Sequence, residues 1–263
     1  YVARAESSPG VTDTEIRIGS TAAFSGPASA YGAIGRAQGA AWQWFNDEGG
    51  LAGRRVKFLC YDDGYSPPKA IEQVRRLVEQ DEVACLSNTL GTAANTAFLK
   101  YVNQKKVPHL FVGSGADKFQ DPVGYPWTLG WQPSYRVEAR IFAQYILKAK
   151  PNAKIGMLYQ NDDFGKDYVS GFRDVLGENF NKVKVVSFEV TDSTIDSQAI
   201  SLQEAGVDAA QPVEVPLCHA CPPGQSSVNG DCQTRVRTGE GTKAPAGRSS
   251  GNATSRPSRA GPS

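Results

Sequence analysis

The chain has 263 residues, 21% of them charged, and a formal net charge of +1. That length allows two ordinary domains, each with its own core. The near balance of charge leaves no electrostatic footprint for nucleic acid, so none is expected as a partner, and no apolar run approaches the ~20 residues of a membrane-spanning helix.

The first residue is Tyr1, and Ala3-Arg4-Ala5 has the small-x-small form that suits an export cleavage site. Residues 1–14 are therefore read as an N-terminal segment, either a signal-peptide remnant or an ordinary Ala-containing end. From Glu15 onward, short apolar runs alternate with longer amphipathic stretches. Ile16–Gly19 is a first strand, followed by a helix over Gly32–Asn46 with Ile34, Ala37, Ala41, Trp44 and Phe45 on one face. Gly49-Gly50 stops it. Val56–Tyr61 is a second strand. Ser66-Pro67 opens the next helix, with Ser as the capping residue and Pro at the first helical position; Ala70, Val74, Leu77 and Val78 form its inner stripe.

The alternation continues with a strand at Val83–Leu86, a helix at Thr92–Gln104 and a strand at His109–Val112. A turn-rich stretch through Asp121-Pro122, Gly124 and Gly130 is the expected passage between two blocks. Beyond it come a helix at Tyr135–Lys148 (Val137, Ile141, Phe142, Tyr145 and Ile146 inward), a strand at Lys154–Tyr159, a helix at Phe164–Leu176, a strand at Val183–Val190 and a helix at Ser197–Ala205. Repeated strand–helix alternation predicts parallel sheets with helices on both faces. After Phe188 no aromatic residue occurs. Past about Ala210 the composition turns to Pro, Gly, Ser, Arg and Thr, too little apolar surface to offset an ordering entropy of ~1–2 kcal/mol per residue. Residues 210–263 are expected to be disordered.

In parallel α/β sheets ligands bind beyond the carboxyl ends of the strands. Small and polar residues stand there: Phe24-Ser25-Gly26-Pro27 and Tyr31-Gly32, Leu90-Gly91-Thr92, Gly113-Ser114-Gly115-Ala116-Asp117, and Asn161-Asp162-Asp163-Phe164-Gly165. Free N–H groups at helix starts with neighbouring hydroxyls suit a carboxylate, although each turn taken singly also reads as an ordinary β–α connection. Enzymatic readings are thin. The glycines after the first strand do not fit the dinucleotide fingerprint; Asp62 and Asp63 read as solvated loop acids. No nucleophile elbow and no His-Asp-Ser set can be placed, and His109 reads as structural. Cys60 and Cys85 read as small buried hydrophobes. Cys218, His219, Cys221 and Cys232 lack the periodic flanks of a zinc site. No metal, cofactor or catalytic residue is expected.

Ile16-Arg17-Ile18-Gly19 leading to Phe24-Ser25-Gly26-Pro27 and Tyr31-Gly32, then Asn46–Gly53, Tyr61-Asp62-Asp63 and Asn161–Tyr168, resemble the type I periplasmic binding proteins, in particular the branched-chain amino acid (leucine/isoleucine/valine) binding group of ABC transporters. The resemblance runs from Glu15 to Ala209. It implies an α/β fold of two Rossmann-like lobes with parallel sheets: residues 15–130 the first lobe, 131–209 the second and incomplete, 210–263 a non-homologous tail. It also implies a periplasmic, monomeric binding protein, not an enzyme, that holds an amino acid or related small carboxylate between its lobes and delivers it to an inner-membrane ABC permease. The same fold also serves as the sensing domain of receptors; a Rossmann-type enzyme is the remote alternative.

Matched position by position, Tyr31 is a cleft tyrosine, Leu90, Gly91 and Thr92 form the carboxylate-binding turn, Gly115, Ala116 and Asp117 form a second ligand turn, and Phe164 stands where the second lobe often has tyrosine. Asp117 replaces a common threonine, which makes leucine-like ligands a poorer match. Cys60 and Cys85 are offset from the family's frequent disulfide, so no bond is expected. The tail suggests a truncated or frame-shifted product, a reading that an intact transcript with the same frame through Ser263 would overturn.

Overall fold

The computed structural model describes residues 8–213. Within them, β1 (Glu15–Ala22), β2 (Arg55–Asp62), β3 (Cys85–Ser87), β4 (His109–Val112) and β5 (Thr128–Gly130) form one sheet in the order β2-β1-β3-β4-β5. All its neighbours are parallel. The helices α1 (Gly32–Asp47), α2 (Pro67–Glu79) and α3 (Thr92–Gln104) are its crossovers. Side chains alternate across a strand, and the cores divide accordingly. Leu86 packs with Val74 and Leu77 of α2 and Phe98 and Val102 of α3. Its neighbour Cys85 lies with Ile16, Ile18 and Val56 against Trp42 and Phe45 of α1. Helices thus cover both faces, as the strand–helix alternation predicts.

A second parallel sheet, in the order β7-β6-β8, contains β6 (Ile155–Gln160), β7 (Lys184–Phe188) and β8 (Ala209–Val213). On one face α4 (Tyr135–Ala149) and α5 (Asp163–Leu176) bury Ile155 and Met157. On the other, Leu202 of α6 (Asp196–Glu204) and Val207 close over Gly156. Strand β8 corrects the expected limit of order: pairing continues four residues beyond Ala209, from Ile155↔Ala209 to Tyr159↔Val213. The rest of the expected disordered tail, with its cysteines, lies outside the described residues.

Other expectations need correcting. Strand β5 pairs with β4 inside the stretch read as a passage between blocks, so the crossing falls at residues 131–134. In α1 the inward face consists of Gly32, Gly35, Gly39, Trp42 and Phe45, whereas Ile34, Ala37 and Ala41 point outward and Trp44 is 65% exposed. A Cβ on Gly35 would stand 2.7 Å from the Phe24 ring and 3.1 Å from Ala22 Cβ, so the first turns of the helix approach too closely for a larger residue there, while Trp42 and Phe45 pack farther along it. In α4 the buried residues are Ala139 and Ala143; Ile141 is 58% and Tyr145 69% exposed, and Val137 is exposed as well. The cause is close helix contact, since a Cβ on Gly171 of α5 would stand 2.4 Å from the Arg136 carbonyl oxygen. Ser66 precedes α2 with Pro67 at the first position, but its side chain caps nothing. Among the described residues no helix is long and apolar enough to cross a membrane.

Candidate functional site

Each sheet has one point where the strand order reverses, the place where an open α/β sheet forms a crevice. In the first it lies between β1 and β3, in the second between β6 and β8. The turns leaving β3 and β6 are Leu90–Thr92 and Asn161–Asp162, and both line the space between the two sheets.

The first turn is built around Gly91, whose φ of +96° and ψ of 141° are foreign to L side chains. A Cβ there would stand 2.7 Å from the Tyr65 ring. Asn95, fully buried, fixes the turn by donating to the carbonyls of Thr89 (2.9 Å) and Gly91 (2.6 Å). The Thr89 hydroxyl donates to Asn95 Oδ1 at 2.5 Å and therefore accepts from His109 Nε2 at 2.7 Å. His109 is thus neutral with its proton on Nε2, and burial pushes its pKa down to about 3. Nδ1 has no partner. Its structural reading holds. The Thr92 and Ser114 hydroxyls are paired at 2.7 Å. The first intrahelical N–H of α3 belongs to Asn95, which donates to Gly91 O. The N–H groups of Thr92, Ala93 and Ala94 precede it, and no side chain caps them.

Two cavities flank this helix start. The smaller, of about 120 Å³, is lined by Tyr31, Leu90, Gly91, Thr92, Tyr135 and Phe164, among others. Burial raises the phenol pKa of both Tyr31 and Tyr135. Phe164 reaches it from the second sheet and packs edge-on against Tyr135, centroids 4.7 Å apart. The larger cavity, of about 700 Å³, has Pro27, Gly64–Pro68 and Ala93 on one side and Gln160–Asp162 with Glu189–Ser193 on the other. Tyr65 borders both. Its φ of +60° aims the ring at Gly91, and burial, with the Asp162 charge adding, raises its pKa.

The structure therefore brings Tyr31, Leu90, Gly91, Thr92 and Phe164 to one cavity. Gly115, Ala116 and Asp117 line neither. Gly115 O accepts from Tyr135 N at 2.9 Å, Ala116 is fully buried beside Leu99 and Val112, and the Asp117 carboxylate accepts from the Ser134 hydroxyl. This turn ties the crossing segment to the first sheet. It also reaches α5: Asp117 N donates to Asp167 at 2.9 Å and Lys118 Nζ pairs with Asp163 at 2.5 Å. Burial raises Asp167 to about 6, with Asp117 and Asp163 adding to the shift against that N–H bond.

Asp62 and Asp63 are not solvated loop acids. Asp62 accepts from the N–H groups of Phe24, Ser25 and Gly64 and from the Ser25 hydroxyl. Burial pushes its carboxyl up, but these bonds outweigh it and hold it below the usual range. Asp63 is buried and accepts from Tyr65 N at 2.8 Å. Cys60 and Cys85 are free and half-buried rather than buried; burial pushes the Cys60 thiol up to about 11. Sequence reasoning missed Tyr65, Tyr135 and Gln160. The signal for Tyr65 was its place after Asp62-Asp63-Gly64, a turn ahead of a proline-started helix. Gln160 ends a continuous apolar strand, where a polar residue is out of pattern.

The family model of the periplasmic binding proteins matches residues 15–214. The chain belongs to that family. The match extends past Ala209, where the resemblance was expected to stop, and takes in β8. The Leu/Ile/Val-binding protein homolog 7 of Brucella suis is 26% identical over 210 residues, covering 74% of this chain and 51% of the relative. Its Brucella abortus counterpart is 26% identical over 223 residues, 79% and 54% of the two chains. The chain thus spans about half the length of the curated relatives it matches.

Among solved structures, the fatty acid ABC transporter substrate-binding protein from Thermomonospora curvata superimposes with a TM-score of 0.68 at 23% identity, over 79% of this chain and 53% of that one. A solute-binding protein of an ABC transporter from R. palustris, solved with benzoate, gives 0.66 at 22% identity over 75% and 55%. These likenesses speak for the fold: type I, with two parallel-sheet lobes and the second incomplete.

Proposed function

We propose that this chain is the ligand-binding portion of an extracytoplasmic solute-binding protein serving an inner-membrane ABC permease. It binds and does not catalyse. The solute is an amino acid or related small carboxylate held in the cleft between a first lobe of residues 15–130 and a second beginning at 131. The observation that carries this reading is the uncapped start of α3: Thr92 and Ala93 stand at the cleft beside Tyr31, Leu90 and Gly91, with Phe164 facing them from the second sheet. A helix N-terminus of this kind favours a carboxylate through its free donors and its dipole. The second turn, Gly115–Asp117, acts in this reading as the bracket that holds the lobes in register rather than as a ligand contact.

The relatives' names and the family support a solute-binding role outside the inner membrane. The chain spans half of their length, so its own affinity is expected near 1 mM, equivalent to about −4 kcal/mol, below that of a complete cleft. Isothermal titration of the folded chain with leucine, isoleucine, valine and benzoate tests it. Saturable 1:1 binding of any carboxylate, weakened by Gly91→Val, is the expected result. A folded chain that binds none of them at 10-fold above that concentration overturns the reading.

A further inference from the structure

The larger cavity has its own chemistry. Among the described residues its lining contains three carboxylates, Asp162, Glu189 and Asp192, and no lysine, arginine or histidine. Lys69, which follows the lining residue Pro68 in sequence, pairs with Asp62 at 3.7 Å. The lining also contains Gln160, which is 2% exposed and whose Oε1 has no hydrogen-bond partner. Its amide nitrogen is already committed, donating to Asp162 Oδ2 at 2.6 Å. That bond fixes the amide so that the oxygen is left over, and the Tyr65 hydroxyl close by does not reach hydrogen-bond geometry with it. A buried acceptor without a donor is costly unless a bound group supplies one. The carboxylates are held in place as well: Asp162 accepts from Gly165 N at 3.3 Å, Glu189 from Asn161 Nδ2 at 2.6 Å, and Asp192 from Glu189 N at 2.8 Å.

We propose that this chamber selects solutes that carry a cationic nitrogen group, an ammonium or a guanidinium, on the tail remote from their carboxylate, with Gln160 Oε1 and the Asp162 carboxylate as its acceptors. The proposal rests on the reading of the cleft as a carboxylate-solute site and adds the other end of the solute. Ala93, at the start of α3, and Gln160 both border the chamber, so the helix start and the acceptors face one space. At about 700 Å³ the space lies within the range of small-molecule sites and exceeds what a branched aliphatic side chain fills. An anionic or purely aromatic tail would meet three carboxylates and leave Gln160 Oε1 unpaired. A guanidinium offers five donors and suits a mixed amide and carboxylate lining.

The test is isothermal titration of the folded chain with L-arginine, agmatine (the same tail without the carboxylate), L-leucine and benzoate, alongside Asp162→Asn and Glu189→Gln. Asn at 162 keeps an acceptor for the Gly165 N–H. Glu189 is exposed, so its variant folds even where the first does not. Arginine is expected to bind at least 10-fold tighter than leucine or benzoate, and Asp162→Asn to erase most of that advantage; Glu189→Gln reduces it less. Arginine no tighter than leucine and benzoate, or an advantage that both variants leave intact, overturns the cationic-tail proposal while the carboxylate reading stands. Agmatine binding as tightly as arginine, with leucine and benzoate unbound, sustains the chamber and overturns the carboxylate reading. Silence from all four ligands overturns both.

Discussion

Gly91 shows how a single residue shapes the site. Its positive φ and the Tyr65 ring within van der Waals distance leave no room for a side chain. Gly91→Ala is expected to cost about 2 kcal/mol or more through backbone strain and displacement of Tyr65, read as a lower urea midpoint. Asn95→Ala removes donors from two carbonyls and an acceptor from Thr89, all buried, and should cost about 2–3 kcal/mol. Titration acts in two opposed windows. His109 is held near 3, below its ordinary 6.5, so the unfolded chain takes up a proton that the folded chain refuses. The resulting stability is present above pH 6.5 and lost as pH falls toward 3. Asp167 is raised from 3.8 to about 6; its contribution is present below pH 3.8 and lost as pH rises through 6. Thermal midpoints should therefore separate them. His109→Gln flattens the acid limb, whereas Asp167→Asn raises the midpoint at pH 7.5 and leaves it unchanged at pH 3.5.

Element order was legible in the sequence because apolar runs and turn residues fix where strands and helices lie. The facing of α1 and α4 was not. Periodicity weighs side-chain size, but where a helix lies close to its neighbour it must present small residues: Gly35 in α1, and Ala139 of α4 against Gly171 of α5. In α4 the larger Val137, Ile141 and Tyr145 then fall on the outer side. A paired substitution checks this. Ile141→Lys should shift the urea midpoint by no more than about 0.5 kcal/mol, and Ala143→Leu should cost about 1–3 kcal/mol by overpacking; the sequence stripe alone predicts the reverse order. Strand β5 escaped notice because three residues ending in Gly130, amid prolines and glycines, carry no alternation to read. Half of the site was legible for a related reason. Turns announce themselves by composition, so Leu90–Thr92 stood out. Which turns meet in space depends on strand order, which placed Gly115–Asp117 at the crossing and brought Tyr65 and Gln160 to the cleft.

At the scale of the molecule, the two sheets are joined by few bonds. The Lys118–Asp163 pair is partly exposed and of a kind worth about 0–1 kcal/mol. Among the described residues the second sheet has three strands, and α6, which covers one of its faces, buries no residue fully. The sequence has four tryptophans, Trp42, Trp44, Trp127 and Trp131, all ahead of α4. That uneven placement makes the chain its own two-channel instrument. Indole emission follows the five-stranded sheet and the crossing at Trp131, while far-ultraviolet circular dichroism follows both blocks. On heating, ellipticity is expected to begin falling before the emission maximum moves, because the smaller block loosens first. Coincident curves would mean that the slender junction at Asp117 and Lys118 makes the two blocks melt as one. A solute that bridges the cleft should draw the curves together, so the gap between them becomes a measure of occupancy that requires no label.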